Sequence, residues 1–199
     1  MSWHSFARSG DCEIVILNSR FIASGTEVKC ATEAETFLKE IQARYPDASH
    51  HCYAFKVLGP PMVDRFSDDG EPNGTAGRPI LTVLEHHLNN AIIVVTRYFG
   101  GTKLGKGGLV KAYTEAAKAL IDTLGTTPRE HEISVLCEYP YPLSATVEYY
   151  FKQQGLQFEL DYGARVQADL QIAISQWPQI RTQFEHWQYE GFDWELIED

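Results

Sequence analysis

Two glycine-rich segments carry the residues with the clearest chemical potential, SDDGEPNGTAG at 67–77 and YFGGTKLGKGG at 98–108. Between Phe66 and Tyr113 lie eight of the fifteen glycines of the chain. Glycine is used where backbone must take φ > 0 or pass close to another group, so main-chain amides are expected to be the working groups here. In the second segment those amides are joined by Lys103 and Lys106 just before an amphipathic pattern, Leu109 to Leu124. Amide donors, two ammonium groups and the positive end of a helix dipole together suit a phosphate or another anion. The spacing therefore predicts Arg97, Tyr98, Gly100, Gly101, Lys103, Lys106, Gly107, Gly108 and Lys111 as phosphate- or RNA-contacting residues. A hairpin-like loop packed on the first segment, with no ligand, is the competing expectation. Neither Gly-x-Gly-x-x-Gly after the first strand nor Gly-x-x-x-x-Gly-Lys-Ser/Thr occurs, so nucleotide hydrolysis has no specific support.

In the first segment Asp68, Asp69 and Glu71 admit two readings. Ser, Asp, Gly, Pro and Asn are the vocabulary of turns, and an acidic trio without an imidazole or nucleophile lacks the partners of acid–base catalysis. They are expected to support the loop, accepting hydrogen bonds from backbone or from basic groups of the second segment. The alternative is a magnesium ion held through water. No catalytic residue is assigned, and no cofactor is expected beyond that ion. His50, His51 and Cys52 raise a Cys–His nucleophile pair, but neighbours on a strand point to opposite faces and no third group orients them. His86 and His87 at a helix end suit the dipole better than a metal. Tyr98, Phe99 and Tyr113 could stack bases, and core packing accounts for such aromatics equally well.

These segments need a scaffold, and composition bounds it. The chain has 199 residues, 44% hydrophobic and 22% charged, in the range of globular proteins. No apolar run nears the roughly 20 residues that span a bilayer, and MSWHSFARSG lacks the apolar core of a signal peptide, so a cytoplasmic protein with no membrane partner is expected. Cys12, Cys30, Cys52 and Cys137 show no Cys-x-x-Cys pairing, which predicts reduced thiols. The net charge of −10 argues against simple wrapping of nucleic acid, but it is uneven. Residues 1–125 hold 13 Lys+Arg against 14 Asp+Glu, and 126–199 hold 4 against 13. A boundary near Gly125 follows, giving domains 1–125 and 126–199. Within the first, Arg97, Lys103, Lys106, Lys111 and Lys118 face only Glu115 across 22 residues, a local basic patch.

Periodicity predicts strands at Gly10–Asn18 and Arg20–Val28, then a helix with a Thr32/Glu35 capping box and an apolar stripe of Ala34, Phe37, Leu38, Ile41 and Tyr45 that Pro46 ends. A strand at His51–Leu58, a long loop to Gly77 and a helix at Pro79–Leu88 follow. The unbroken run AIIVV within Ala91–Thr96 reads as a strand buried on both faces. The remainder reads strand Glu132–Cys137, helix Leu143–Gln153, strands Leu156–Leu160 and Arg165–Ile174, helix Pro178–Trp187 and strand Phe192–Ile197. That βαββαβ order is the ferredoxin-like plan, and it leaves function open.

The segments SRFIA (Ser19–Ala23), HHCYAF (His50–Phe55), FSDDGEPNGTAGRPIL (Phe66–Leu81) and VVTRYFGGTKLGKGGLVKAY (Val94–Tyr113) resemble the IMPACT/YigZ family, across the whole first domain. Length and domain order resemble its bacterial type. The resemblance implies an α+β fold, with a ribosomal-protein-like α+β N-terminal domain followed by a ferredoxin-like C-terminal domain similar to modules of translation elongation factors. Eukaryotic relatives restrain a starvation-responsive translation kinase by competing for its activator, using an additional N-terminal interaction domain that this sequence does not show. What carries over is a general link to translation. The leading expectation is a non-enzymatic cytoplasmic regulator that binds RNA, the ribosome or a translation-related protein through a groove between the glycine segments. The rivals are a small enzyme acting on a phosphorylated or anionic metabolite at that groove, and a protein–protein module using the C-terminal domain alone.

Overall fold

Residues 2–59 and 61–197 are described by a computed structural model. They fall into two compact units, Trp3–Arg129 and the residues from Glu130 onward with Ser2. In the first, β1 (Ser2–Phe6), β2 (Gly10–Ile16), β3 (Ser19–Glu27), α1 (Ala31–Arg44), β4 (His50–Val57), β5 (Val63–Ser67), α2 (Gly77–His87), β6 (Ala91–Tyr98), α3 (Gly105–Leu124) and β7 (Thr126–Glu130) follow in order. Five strands make an antiparallel sheet, β2-β3-β6-β4-β5, and β1 pairs with β7 in a two-stranded ribbon.

The run AIIVV falls on the central strand β6 and is buried throughout. Ile93 and Val95 point to a core shared with α2 and α3, together with Phe21, Cys52 and Ala54. Ile92 and Val94 point the other way, into a second core with Ala34 and Ile41 of α1 and with Phe55 and Val57. A strand apolar on both faces is what a sheet with helices on either side requires. Each fully buried Ile or Val there contributes about 1.5–3 kcal/mol over its exposed state.

Four local expectations need correction. The capping box does not form: Cys30 is the N-cap of α1 without a side-chain bond, and Glu33 instead reaches back to accept from the Lys29 N–H at 2.6 Å. Part of the long loop is the edge strand β5, paired with β4. Helix α3 begins at Gly105, so Lys106, Gly107 and Gly108 belong to its first turn rather than to a loop. The ribbon strands β1 and β7 carry no predicted counterpart. Among the described residues no helix is long and apolar enough to cross a membrane.

The second unit contains β8 (Glu132–Tyr139), a one-turn 3₁₀ segment, α4 (Ser144–Gln153), β9 (Gln157–Tyr162), β10 (Val166–Ala173), α5 (Trp177–Trp187) and β11 (Asp193–Ile197). Its antiparallel sheet has the order β11-β8-β10-β9, with the two crossover helices supplied by α4 and α5. That is the ferredoxin-like order. Strand β10 alternates strictly: Val166, Ala168, Leu170 and Ile172 are buried while Gln167, Asp169 and Gln171 are exposed. An aromatic cluster of Phe151, Phe184, Trp187 and Phe192 fills the core beneath it.

Candidate functional site

The first glycine loop is closed by Asp68. Its carboxylate accepts from the N–H groups of Gly74 at 2.8 Å, Ala76 at 2.9 Å and Gly77 at 2.9 Å. Burial opposes ionisation of this group, yet the three amides together hold its pKa below the ordinary carboxyl range. Asp69 takes a positive φ of 41° and accepts from the His51 N–H at 2.6 Å, while its carbonyl oxygen accepts from His50 Nδ1 at 2.7 Å. Gly77 abuts the Ser67 backbone so closely that an added Cβ would lie 2.6 Å from the Ser67 carbonyl oxygen. The loop is thereby pinned to β4 and to the end of β5.

Glu71, two residues beyond Asp69, turns inward. Its carboxylate accepts from Arg97 Nη1 at 2.5 Å and from the Tyr113 hydroxyl at 2.8 Å, and His50 Nε2 lies 4.0 Å away. The side chains of Glu71 and Arg97 are only 4% and 6% exposed. Arg97 also donates from Nη2 to Ser19 Oγ at 3.4 Å, and its guanidinium sits 5.4 Å from the Phe21 ring centre and 5.5 Å from that of Phe99. Its Nε–H has no hydrogen-bond partner among the described residues. Behind this pair Cys52 Sγ lies 3.4 Å from the Tyr113 hydroxyl and 3.0 Å from the Asp68 carbonyl. Burial raises the pKa of both the Cys52 thiol and the Tyr113 phenol, so both stay protonated.

The second loop is fastened at its start by Ser19, whose hydroxyl accepts the Gly100 N–H at 3.1 Å. Only glycine fits at 100, because a Cβ would stand 2.1 Å from the Asn18 carbonyl. The Phe99 N–H donates to Ser49 Oγ, leaving the Phe99 ring 49% exposed. Gly101 and Gly105 take φ of 86° and 72° as the chain swings into α3. Leu104 is the N-cap of that helix and provides no side-chain acceptor, and no acidic residue stands in the first turn. Unpaired amide donors and the positive dipole end are thus left open at this terminus.

The two loops and β6 line one cavity of about 360 Å³, with Glu71 and Arg97 on its floor and Phe99, Lys103 and Lys106 around it. Other expected contacts lie off it. Tyr98 donates its hydroxyl to Asp47 at 2.8 Å beneath the Arg20 guanidinium. Lys111 is 78% exposed and pairs with Glu115 at 3.8 Å. Gly107 and Gly108 lie within the first turn of α3, where a Cβ at 108 would meet Leu104 Cβ at 3.0 Å. A wider groove of about 600 Å³ runs along α2 and α3 past Val83, Val110 and Lys118. It is the roomier of the two, but the smaller cavity gathers the convergent charged and aromatic groups that mark a ligand site.

Among the described residues, no three His, Cys, Asp or Glu side chains converge to hold a metal. Asp68, Asp69 and Glu71 diverge instead, each onto a different donor set. Nor does a Cys–His pair form: Cys52 faces the core, and His51 Nδ1 lies 3.1 Å from Thr96 Oγ1. Tyr113 is fully buried edge-on to Phe21 at 5.3 Å and cannot stack a base. Ser19 is missed as a site residue by sequence, and His50 is read there only as half of a Cys–His pair, because their partners at the site are distant in the chain.

An α+β chain with this loop pair has counterparts. Residues 17–121 match the Impact N-terminal domain. Over 184 residues, 88% of this chain and 85% of the relative, it is 33% identical to the IMPACT family member YvyE of Bacillus subtilis. It is 41% identical over 131 residues to YigZ of Escherichia coli K12, covering 62% of this chain and 63% of that one. A crystal structure of a hypothetical protein superposes with a TM-score of 0.70 at 28% identity, covering 100% of this chain and 98% of the other. The chain belongs to the IMPACT family.

Proposed function

We propose that this protein is a non-enzymatic cytoplasmic regulator linked to translation, which binds RNA, free or on the ribosome, at the cavity between its glycine loops. The observation that carries this reading is the grouping of an exposed Phe99 ring with Lys103, Lys106 and the uncapped start of α3. An aromatic platform beside cations is the arrangement that holds single-stranded nucleic acid, with bases stacked and phosphates neutralised.

Binding rather than reaction is favoured because the carboxylates and the thiol closest to the cavity are engaged or buried. Glu71 is held by Arg97 and Tyr113, Asp68 by three amides, and the Cys52 thiol is buried and protonated. A general base must be free to take a proton within reach of its substrate.

Fluorescence anisotropy with short single-stranded RNAs tests the proposal. Lys103→Glu/Lys106→Glu should weaken binding across sequences and flatten the salt dependence by about 0.7 in log–log slope per lost contact. Phe99→Ala should cost about 1–3 kcal/mol of binding. Unchanged affinity and slope in both variants would overturn it.

A further inference from the structure

Resting on that reading, we infer that the cavity takes a terminal phosphate monoester, the phosphorylated end of an RNA strand, in preference to an internal phosphodiester. Three observations point there.

The first is charge. Of the charged side chains lining the cavity, Arg97 is balanced by Glu71 at 2.5 Å, which leaves Lys103 and Lys106 as the uncompensated pair. Two cations beside a positive helix end match the near-double negative charge of a monoester at neutral pH, whereas a diester carries one.

The second is the surplus of donors. The amides of Gly105 and Lys106, which line the cavity at the start of α3, have no side-chain acceptor among the described residues. Helix-start donors left open at a ligand-sized cavity suit an acceptor that arrives from outside. Three terminal oxygens satisfy more of these donors than the two free oxygens of a diester.

The third is shape. The cavity holds about 360 Å³ and is floored by the Glu71–Arg97 pair. That volume suits a compact end group rather than a strand running through, with the Phe99 ring at hand for the adjoining base.

Isothermal titration calorimetry of the full chain at fixed salt separates the cases. The ligands are one uridine decamer bearing a 5′-phosphate, a 3′-phosphate or neither, and uridine 5′-monophosphate alone. At least tenfold tighter binding of a phosphorylated decamer is expected, with that advantage lost in Lys103→Gln/Lys106→Gln, a change at exposed side chains that leaves the core intact. Equal affinity for all three decamers overturns the inference while RNA binding stands. Binding of the mononucleotide without binding of any decamer keeps the monoester chemistry, reassigns its source to free nucleotides and overturns the RNA reading. No binding of any of them overturns both.

Discussion

Glu71→Ala offers the most direct test of how the site is held. The substitution leaves the Arg97 guanidinium, 6% exposed, without its counter-charge. It also removes the acceptor of the buried Tyr113 hydroxyl. Breaking a buried pair from one side costs about 3–5 kcal/mol, because the surviving charge stays desolvated. The orphaned hydroxyl adds about 1–3 kcal/mol, which water entering from the adjacent cavity will partly relieve. A total of about 4 kcal/mol corresponds to a fall in Tm of about 10–20 °C for a unit of this size. Urea unfolding by circular dichroism, with hydrogen exchange of the β4 and β6 amides to isolate this unit, reads the effect. Two comparisons sharpen it. Glu13→Ala breaks the bidentate pair with Arg20, but those side chains are 38% and 51% exposed, so solvent screening should keep the loss small. Replacing both buried partners, as Glu71→Leu/Arg97→Met, should recover much of the single-variant loss. A Glu71→Ala cost no greater than that of Glu13→Ala, or a double variant no better than the single one, would refute the picture of a desolvated pair.

Two further outcomes follow from the loops. Because the folded pKa of Asp68 is lowered, its contribution is present in full above the ordinary value of 3.8 and disappears as pH falls through the lower folded value. Asp68→Asn should therefore destabilise the protein at pH 7, and its gap from wild type in urea midpoint should close as pH falls below about 4; a gap constant with pH would show that the charge is not what the amides hold. Gly100→Ala should displace the second loop, since the new Cβ meets Asn18 and Ser19 main chain at 2.1–2.4 Å, whereas Gly107→Ala meets nothing within 4 Å and should leave stability equal or raise it by up to about 1 kcal/mol. Thermal melts of the two variants check the contrast, and equal melting temperatures would contradict it.

Where core burial dictates a period, the sequence was readable. Val166 to Ile172 alternates because one face of β10 meets the aromatic core, and AIIVV does not alternate because β6 has a core on each side. The elements that escaped are those whose pairing, not patterning, makes them strands. In Val63–Ser67 only the first and last residues are even partly buried, and the strand exists because β4 offers a free edge. The β1–β7 ribbon joins opposite ends of its unit, which no local window can register. The early start of α3 escaped as well. Gly105, Gly107 and Gly108 are poor helix formers, so propensity alone begins the helix at Leu109, whereas the structure winds it back one further turn through residues that are not buried.

The site was legible as two loops but not as a charge distribution. Counting charges along 97–118 suggests a patch of five cations against Glu115, yet one long-range contact and one helical pair engage two of them. Arg97 is neutralised by Glu71, 26 positions earlier, and Lys111 leans on Glu115 at 3.8 Å. Lys118 lines the α2–α3 groove and not the loop cavity. What remains at the cavity is Lys103 and Lys106, so its affinity for anions should carry the salt dependence of two contacts rather than four or five. Arg97 then serves by position rather than by net charge: its Nη1 and Nη2 bind Glu71 and Ser19, Ser19 in turn fixes the Gly100 amide, and one buried residue sets the distance between both loops.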